Sequence, residues 1–412
     1  MDRCNRIGAT IVLLFCALSA RGIDPTLVPR PRGGIPIGNK PADYVLIGWS
    51  DLGMHCLSPR YQEMCILPPY NTVRAIVIRK GVKPQLVTQG IKIRYSLDGN
   101  QTVEGKTDFW TYVNALFGKQ PGIGVGLTGN RLSGSMTVLG DCFEASGIPA
   151  LPYNDAMKWD PYQHATLIAS GRDILQTTKI VVPVSDEMDC QKCHASGGVG
   201  APGIHTPTLE GNILTLHDLR EGTNLMSQRP VLCAKCHSDN ALGATGMPGV
   251  PSMSHAMHVK HASVAQQPKC QDCHPGAKTQ CNRSRLEDMG PEGTDPKCDN
   301  CHGDLNKVAE TLRNGRRPWI DEPTCAECHG SAYSTGTDLY RNARGHGGVY
   351  CVACHNSPHA WLPSRRADDN LQAMTLQGNN HAIGYRACNV CHTDGRTGEK
   401  PPHGNGSGGD DD

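Results

Sequence analysis

Seven copies of Cys-x-x-Cys-His crowd the second half of this 412-residue chain, and no other feature limits its folding so severely. The first three use Cys190, Cys193 and His194; Cys233, Cys236 and His237; Cys270, Cys273 and His274. The remaining four use Cys298, Cys301 and His302; Cys325, Cys328 and His329; Cys351, Cys354 and His355; Cys388, Cys391 and His392. Two thiols one short turn apart can form thioethers to the two vinyl groups of haem, while the adjacent imidazole is carried beneath the ring to ligate the iron. Zinc half-sites and thioredoxin-like redox pairs also use Cys-x-x-Cys, but neither needs a His directly after the second Cys in every copy. The expected cofactor is c-type haem (heme c), seven groups held covalently.

Composition points the same way. Aromatic residues make up 5% of the chain, with four Phe, which is little to fill a core of this length. Stacked porphyrins would supply the missing apolar bulk, and Gly 47 and Pro 29 suit a loop-rich wrapping around them. The expected fold class is an N-terminal all-β module followed by a loop-rich, mainly α or irregular multihaem domain. The expected divisions are a signal peptide at 1–22, a Pro/Gly-rich leader at 23–43, the β-rich module at 44–185, the heptahaem domain at 186–403 and a disordered Gly/Asp tail at 404–412.

Arg3 and Arg6 precede an apolar run from Ile7 to Leu18, and Ala20-Arg21-Gly22 offers a small-x-small cleavage site. The run is too short to span a bilayer, and no later segment approaches one, so the mature chain is expected to be soluble, exported and without a membrane span. Its destination is the periplasm, cell surface or exterior. A formal net charge of +1 gives no reason to bind nucleic acid or anionic lipid. The oxidising compartment also accounts for the cysteines outside the motifs and signal, Cys56, Cys65, Cys142 and Cys281, with Cys56–Cys65 the favoured disulfide because the loop is short.

Short strand-like runs fill the first module: Tyr44 to Trp49, Thr72 to Ile78, Ile91 to Tyr95, Ser135 to Leu139, Ala165 to Ile168 and Lys179 to Val182. Within it, Met54, His55 and Cys56 form a soft-ligand set that suits copper. Against copper, only His164 is available in the module as a second imidazole. A turn stapled by a disulfide, or His55 reaching across to a haem, are the competing readings. The stretch is similar to modules that precede haem domains in some secreted bacterial multihaem proteins.

Of 18 His, seven belong to motifs, so the supply of second axial ligands exceeds the demand. The seven expected to fill the opposite axial positions are His205, His217, His258, His261, His346, His359 and His381. His258-Val-Lys-His261 before Cys270 resembles the small class III multihaem cytochromes c. That resemblance implies that the first His serves the following haem and the second a neighbour. His255 and His403 rival His205.

Iron with two imidazoles has no open position for a small substrate, so the expected role is electron conduction rather than enzymatic catalysis. In broad terms the chain resembles the multihaem cytochromes of metal-respiring bacteria. That resemblance implies anaerobic or extracellular respiration, with redox proteins or extracellular acceptors as partners. A reductase of nitrite, hydroxylamine or a sulfur oxyanion is the competing expectation, although all seven motifs keep their His. A third reading gives the β module a surface partner. The surplus imidazoles His55, His164 and His403 leave room for a homo-oligomer or filament linked through a neighbouring chain's haem.

Overall fold

The computed structural model describes residues 43–188, 190–276, 278–284, 298–324, 339–378 and 387–396. The expected signal peptide, the leader up to residue 42 and the tail lie outside them. Strands β1 (Tyr44–Ser50), β2 (His55–Cys56), β3 (Met64–Cys65), β4 (Asn71–Arg79), β5 (Gln85–Leu86) and β6 (Lys92–Leu97) lead the chain. Next come β7 (Ser133–Ser135), β8 (Thr137–Leu139), β9 (Cys142–Ile148), β10 (Tyr162–Ser170), β11 (Leu175–Ser185) and β12 (Val231–Leu232).

One sheet has the order β1-β4-β9-β8, with β5 also on β4, and a second has the order β2-β11-β10-β6-β7. Alternation along the strands decides what each face buries. Leu46 of β1 and Val73, Ala75 and Val77 of β4 point into a core shared with Ile93, Tyr95, Leu167 and Val182 of the second sheet. Gly48 stands where the sheets approach closely: a Cβ there would lie 2.3 Å from Leu167 Cδ1. The intervening side chains, Val45, Ile47 and Trp49 of β1 with Ile76 and Ile78 of β4, face outward but are also buried. They pack against Tyr350, Val352, Ala353 and Val390 from the sixth and seventh motif segments.

The expected fold class needs correction. Helix and strand contribute comparably, at 26% and 23% of residues, and the strands form three sheets rather than one module ahead of an irregular domain. The third sheet pairs β12, immediately before the second motif, in parallel with β3. Helix α1 (Phe109–Phe117) closes over that junction, packing Phe109, Val113 and Leu116 with Leu232 and Ala234. The physical reason is twofold. Backbone amides need partners whatever fills the core, and the outer face of the first sheet is too apolar to leave in water. The described residues belong to one compact unit.

Two local readings also differ. The run at 135–139 splits, with β7 in the second sheet and β8 in the first, and buried Met136 marks the crossing. Strand β9 was not anticipated, because Glu144, Ser146 and Gly147 interrupt its apolar pattern.

Candidate haem-binding site

Each described motif is one helical turn. The first motif enters α2 (Gln191–His194) with Cys190 as its N-cap, and helices at Cys298–His302 and Cys351–His355 carry the fourth and sixth. Short 3-10 turns at Cys233–Lys235, Cys270–Asp272 and Cys388–Val390 carry the others. His194, His237, His274 and His392 each donate their backbone N–H to the carbonyl of the first motif Cys, at 2.8–3.0 Å. That bond gathers two thiols and an imidazole on a single turn. Motif five (Cys325, Cys328, His329), His381 and His403 lie outside the described residues.

Five motif imidazoles face a second imidazole. Ring centres are 6.2 Å apart for His194 and His261, 6.2 Å for His217 and His237, and 6.0 Å for His258 and His274. His302 and His359 stand at 6.1 Å, and His346 and His392 at 5.9 Å. A bond from a metal to an imidazole nitrogen is ~2 Å, so two imidazoles on opposite sides of one ion have ring centres about 6 Å apart. Among the described residues, no group of three or more His, Cys, Asp or Glu could hold a metal ion unaided. Two axial imidazoles without protein donors between them suit a metal whose other ligands come from a macrocycle. They do not suit zinc, which takes four protein donors at a structural site.

The second ring nitrogen supports this reading. Nδ1–H donates to a backbone carbonyl in His237 (Pro251, 2.8 Å), His258 (Ser254, 2.8 Å), His261 (Met257, 2.6 Å) and His392 (Val82, 3.1 Å). A carbonyl cannot donate, so the proton sits on Nδ1 and Nε2 keeps its lone pair for a metal. His194 Nδ1 meets Asn212 Oδ1 at 3.3 Å, an orientation fixed because Asn212 Nδ2 donates to the Ile204 carbonyl. His217 Nδ1 meets Thr223 Oγ1 at 2.9 Å. Burial lowers the pKa of His194, His258 and His359 and takes His274 and His302 down to about 4, so these rings are neutral at pH 7.

The largest fully buried side chains all lie between Leu46 and Ile148, ahead of the motif segments. Among the described motif thiols Cys301 is exposed and the others are partly sheltered. Burial pushes Cys233, Cys270, Cys273 and Cys354 up to about 12. Such sulfurs are poor thiolates, a state a thioether never requires.

The sites adjoin, in an order that departs from the chain's. Helix α3 (Leu209–Glu221) carries both His217, facing the second motif, and Asn212, touching the first. Helix α4 (Met253–Ala262) presents His261 to the first motif and His258 to the third. Cys270 Sγ lies 3.6 Å from Asp299 Oδ1, joining third to fourth. His359 follows His355 by four residues, joining fourth to sixth, and Val352 and Ala353 share an apolar cluster with Val390 and Cys391, joining sixth to seventh. The succession is second, first, third, fourth, sixth, seventh.

Other candidates are placed differently. The His205 ring lies over Gly197 and has no described motif imidazole opposite it. His255 caps into α4 through its backbone N–H to Ser252 Oγ. His55 is buried, with its Nε2 on Asp51 Oδ1 at 2.9 Å. His164 Nε2 stands 3.8 Å from Asp368 Oδ1. The favoured Cys56–Cys65 disulfide is not formed: both thiols are free, Cys56 on β2 beside Ser185 and Cys65 on β3 beside Leu232, in different sheets. No protein-family model matches the chain, and no curated protein or solved structure matches it either.

Proposed function

We propose that this chain is an exported multihaem electron carrier, with c-type haem seated at the motif turns between paired imidazoles. The observation that carries the reading is one arrangement met five times: ring centres 5.9–6.2 Å apart above a Cys-x-x-Cys turn. Bound there, haem supplies reversible one-electron exchange at its iron.

The protein's part is to hold, fill and align. The motif thiols would tether, Nδ1 contacts orient seven of the ten paired rings, and two imidazoles at each of the five paired sites would leave a small substrate no place at the metal. That favours electron transfer over reduction of nitrite, hydroxylamine or a sulfur oxyanion, and a carrier over an enzyme. The adjacency of the six described motifs supports a path through the chain between a redox partner at one end and a protein or extracellular acceptor at the other. Export rests on the charged and apolar pattern of the first 22 residues. Among the described residues no helix is long and apolar enough to cross a membrane.

The test is to produce the chain with a c-type maturation system and weigh it. A gain of seven haem masses is expected, with colour that survives acid-acetone extraction, a low-spin spectrum and no rapid binding of carbon monoxide. Four or fewer haems, or bound zinc, would end the reading.

A further inference from the structure

His359 is held in a conformation that a non-glycine residue adopts only under constraint, with φ at +63°. The constraint comes from the far end of the sequence. The loop from Asp51 to Cys56, whose Met, His and Cys look like a metal site in the sequence, presses its backbone against the segment that carries His359. A Cβ on Gly53 would lie 1.9 Å from the Pro358 carbonyl oxygen and 2.7 Å from His359 Cβ, so only glycine allows the approach.

Arg283 locks the two together. Its backbone N–H donates to the His359 carbonyl, and its Nη1 donates to the carbonyls of Gly53 at 2.6 Å and Cys281 at 3.2 Å. Its Nε and Nη2 grip Asp369 at 2.8 and 3.1 Å, in a pair whose side chains are 3% and 1% exposed. Cys281 Sγ then meets His359 Nδ1 at 3.4 Å. In the other described pairs where Nδ1 has a partner, that partner is oxygen.

We infer that Gly53 and Arg283 are positioning residues for His359, and that the Asp51–Cys56 loop is the seat that aims this imidazole at the metal opposite His302. The inference rests on the haem reading of the pair and deepens it: a loop in the β sandwich decides whether the fourth site has two axial ligands or one.

The experiment uses the full-length, haem-loaded chain and compares wild type with Gly53→Ala, Arg283→Lys and His359→Ala. Covalent haem is counted by mass, spin state by absorption, and open sites by carbon monoxide titration. Gly53→Ala should keep the wild-type haem count while carbon monoxide binding rises from none to one haem per chain, matching His359→Ala, and the double variant should add nothing further. Added imidazole should close the site in His359→Ala. Arg283→Lys keeps a cation against Asp369 but loses the Nη1 bond to the Gly53 carbonyl, and should open the same single site. Gly122→Ala, whose Cβ would meet only Val125 Cγ2 at 3.7 Å, should match wild type.

A Gly53→Ala protein that stays fully low-spin would overturn the inference, as would either positioning variant opening several sites or losing covalent haem, because positioning is local. A wild-type chain without haem, or with sites open from the outset, would instead strike the haem reading itself.

Discussion

At the residue scale the two nitrogens of each imidazole settle its role. His258 and His261 sit on one face of α4, each donating Nδ1–H to the carbonyl four residues back, yet they face His274 and His194 respectively. Replacing His258 with Ala should therefore open the third site alone, and His261→Ala the first alone. Each variant should bind one equivalent of carbon monoxide, with the double variant binding two, and His255→Ala should bind none. Carbon monoxide titration of the reduced proteins checks this, and a His261→Ala protein with no open site would refute the pairing. The motif side of each pair was legible because five consecutive residues carry it. The opposing side was legible only where it lay near its motif, as for His258 ahead of Cys270. His359 and His302 meet through tertiary contacts, with a left-handed backbone that no local pattern announces.

At the scale of elements, what joins the sandwich to the motif segments is more than apolar contact. Gln372, on the helix Ala367–Gln377, bonds both the N–H and the carbonyl of Gly48 at 2.9 and 2.8 Å, so a side chain acts as an extra strand beside β1. At the β8–β9 turn, Asp141 takes a forked ion pair from Arg344 and a hydrogen bond from Tyr350, just ahead of the sixth motif. The Arg344 hydrogen bonds hold the Asp141 carboxyl below its ordinary range. A lowered carboxylate pKa stabilises the fold fully above the ordinary value near 3.8 and loses that contribution as pH falls through the lowered one. Asp141→Asn should thus weaken the protein at neutral pH and converge with wild type in strong acid. Both partners are more than a third exposed, so screening limits the neutral-pH loss to under about 1 kcal/mol. Urea midpoints measured across pH would show it, and a gap that widens in acid would contradict it. These ties were invisible in the sequence because each joins residues hundreds of positions apart.

For the whole molecule, the change of composition near residue 186 marks where the motifs begin, but it does not mark where packing ends. Trp49 and Ile76 on one side of it share a cluster with Val352 and Val390 on the other. Strand content and haem environment should accordingly be lost together on heating. Far-ultraviolet dichroism and Soret absorbance should give one midpoint, and a separation of several degrees would mean that the halves melt independently. The crossed pairing of imidazoles has a further consequence, in time. His237, His274 and His392 face rings that precede them in the chain, whereas His194 and His302 face His261 and His359, which follow. If the chain is exported N-terminus first, as proposed, the second, third and seventh motifs would emerge with both imidazoles already present. The first and fourth arrive one-sided. On the haem reading, the earliest site would stand half built, with one imidazole, until α4 had followed.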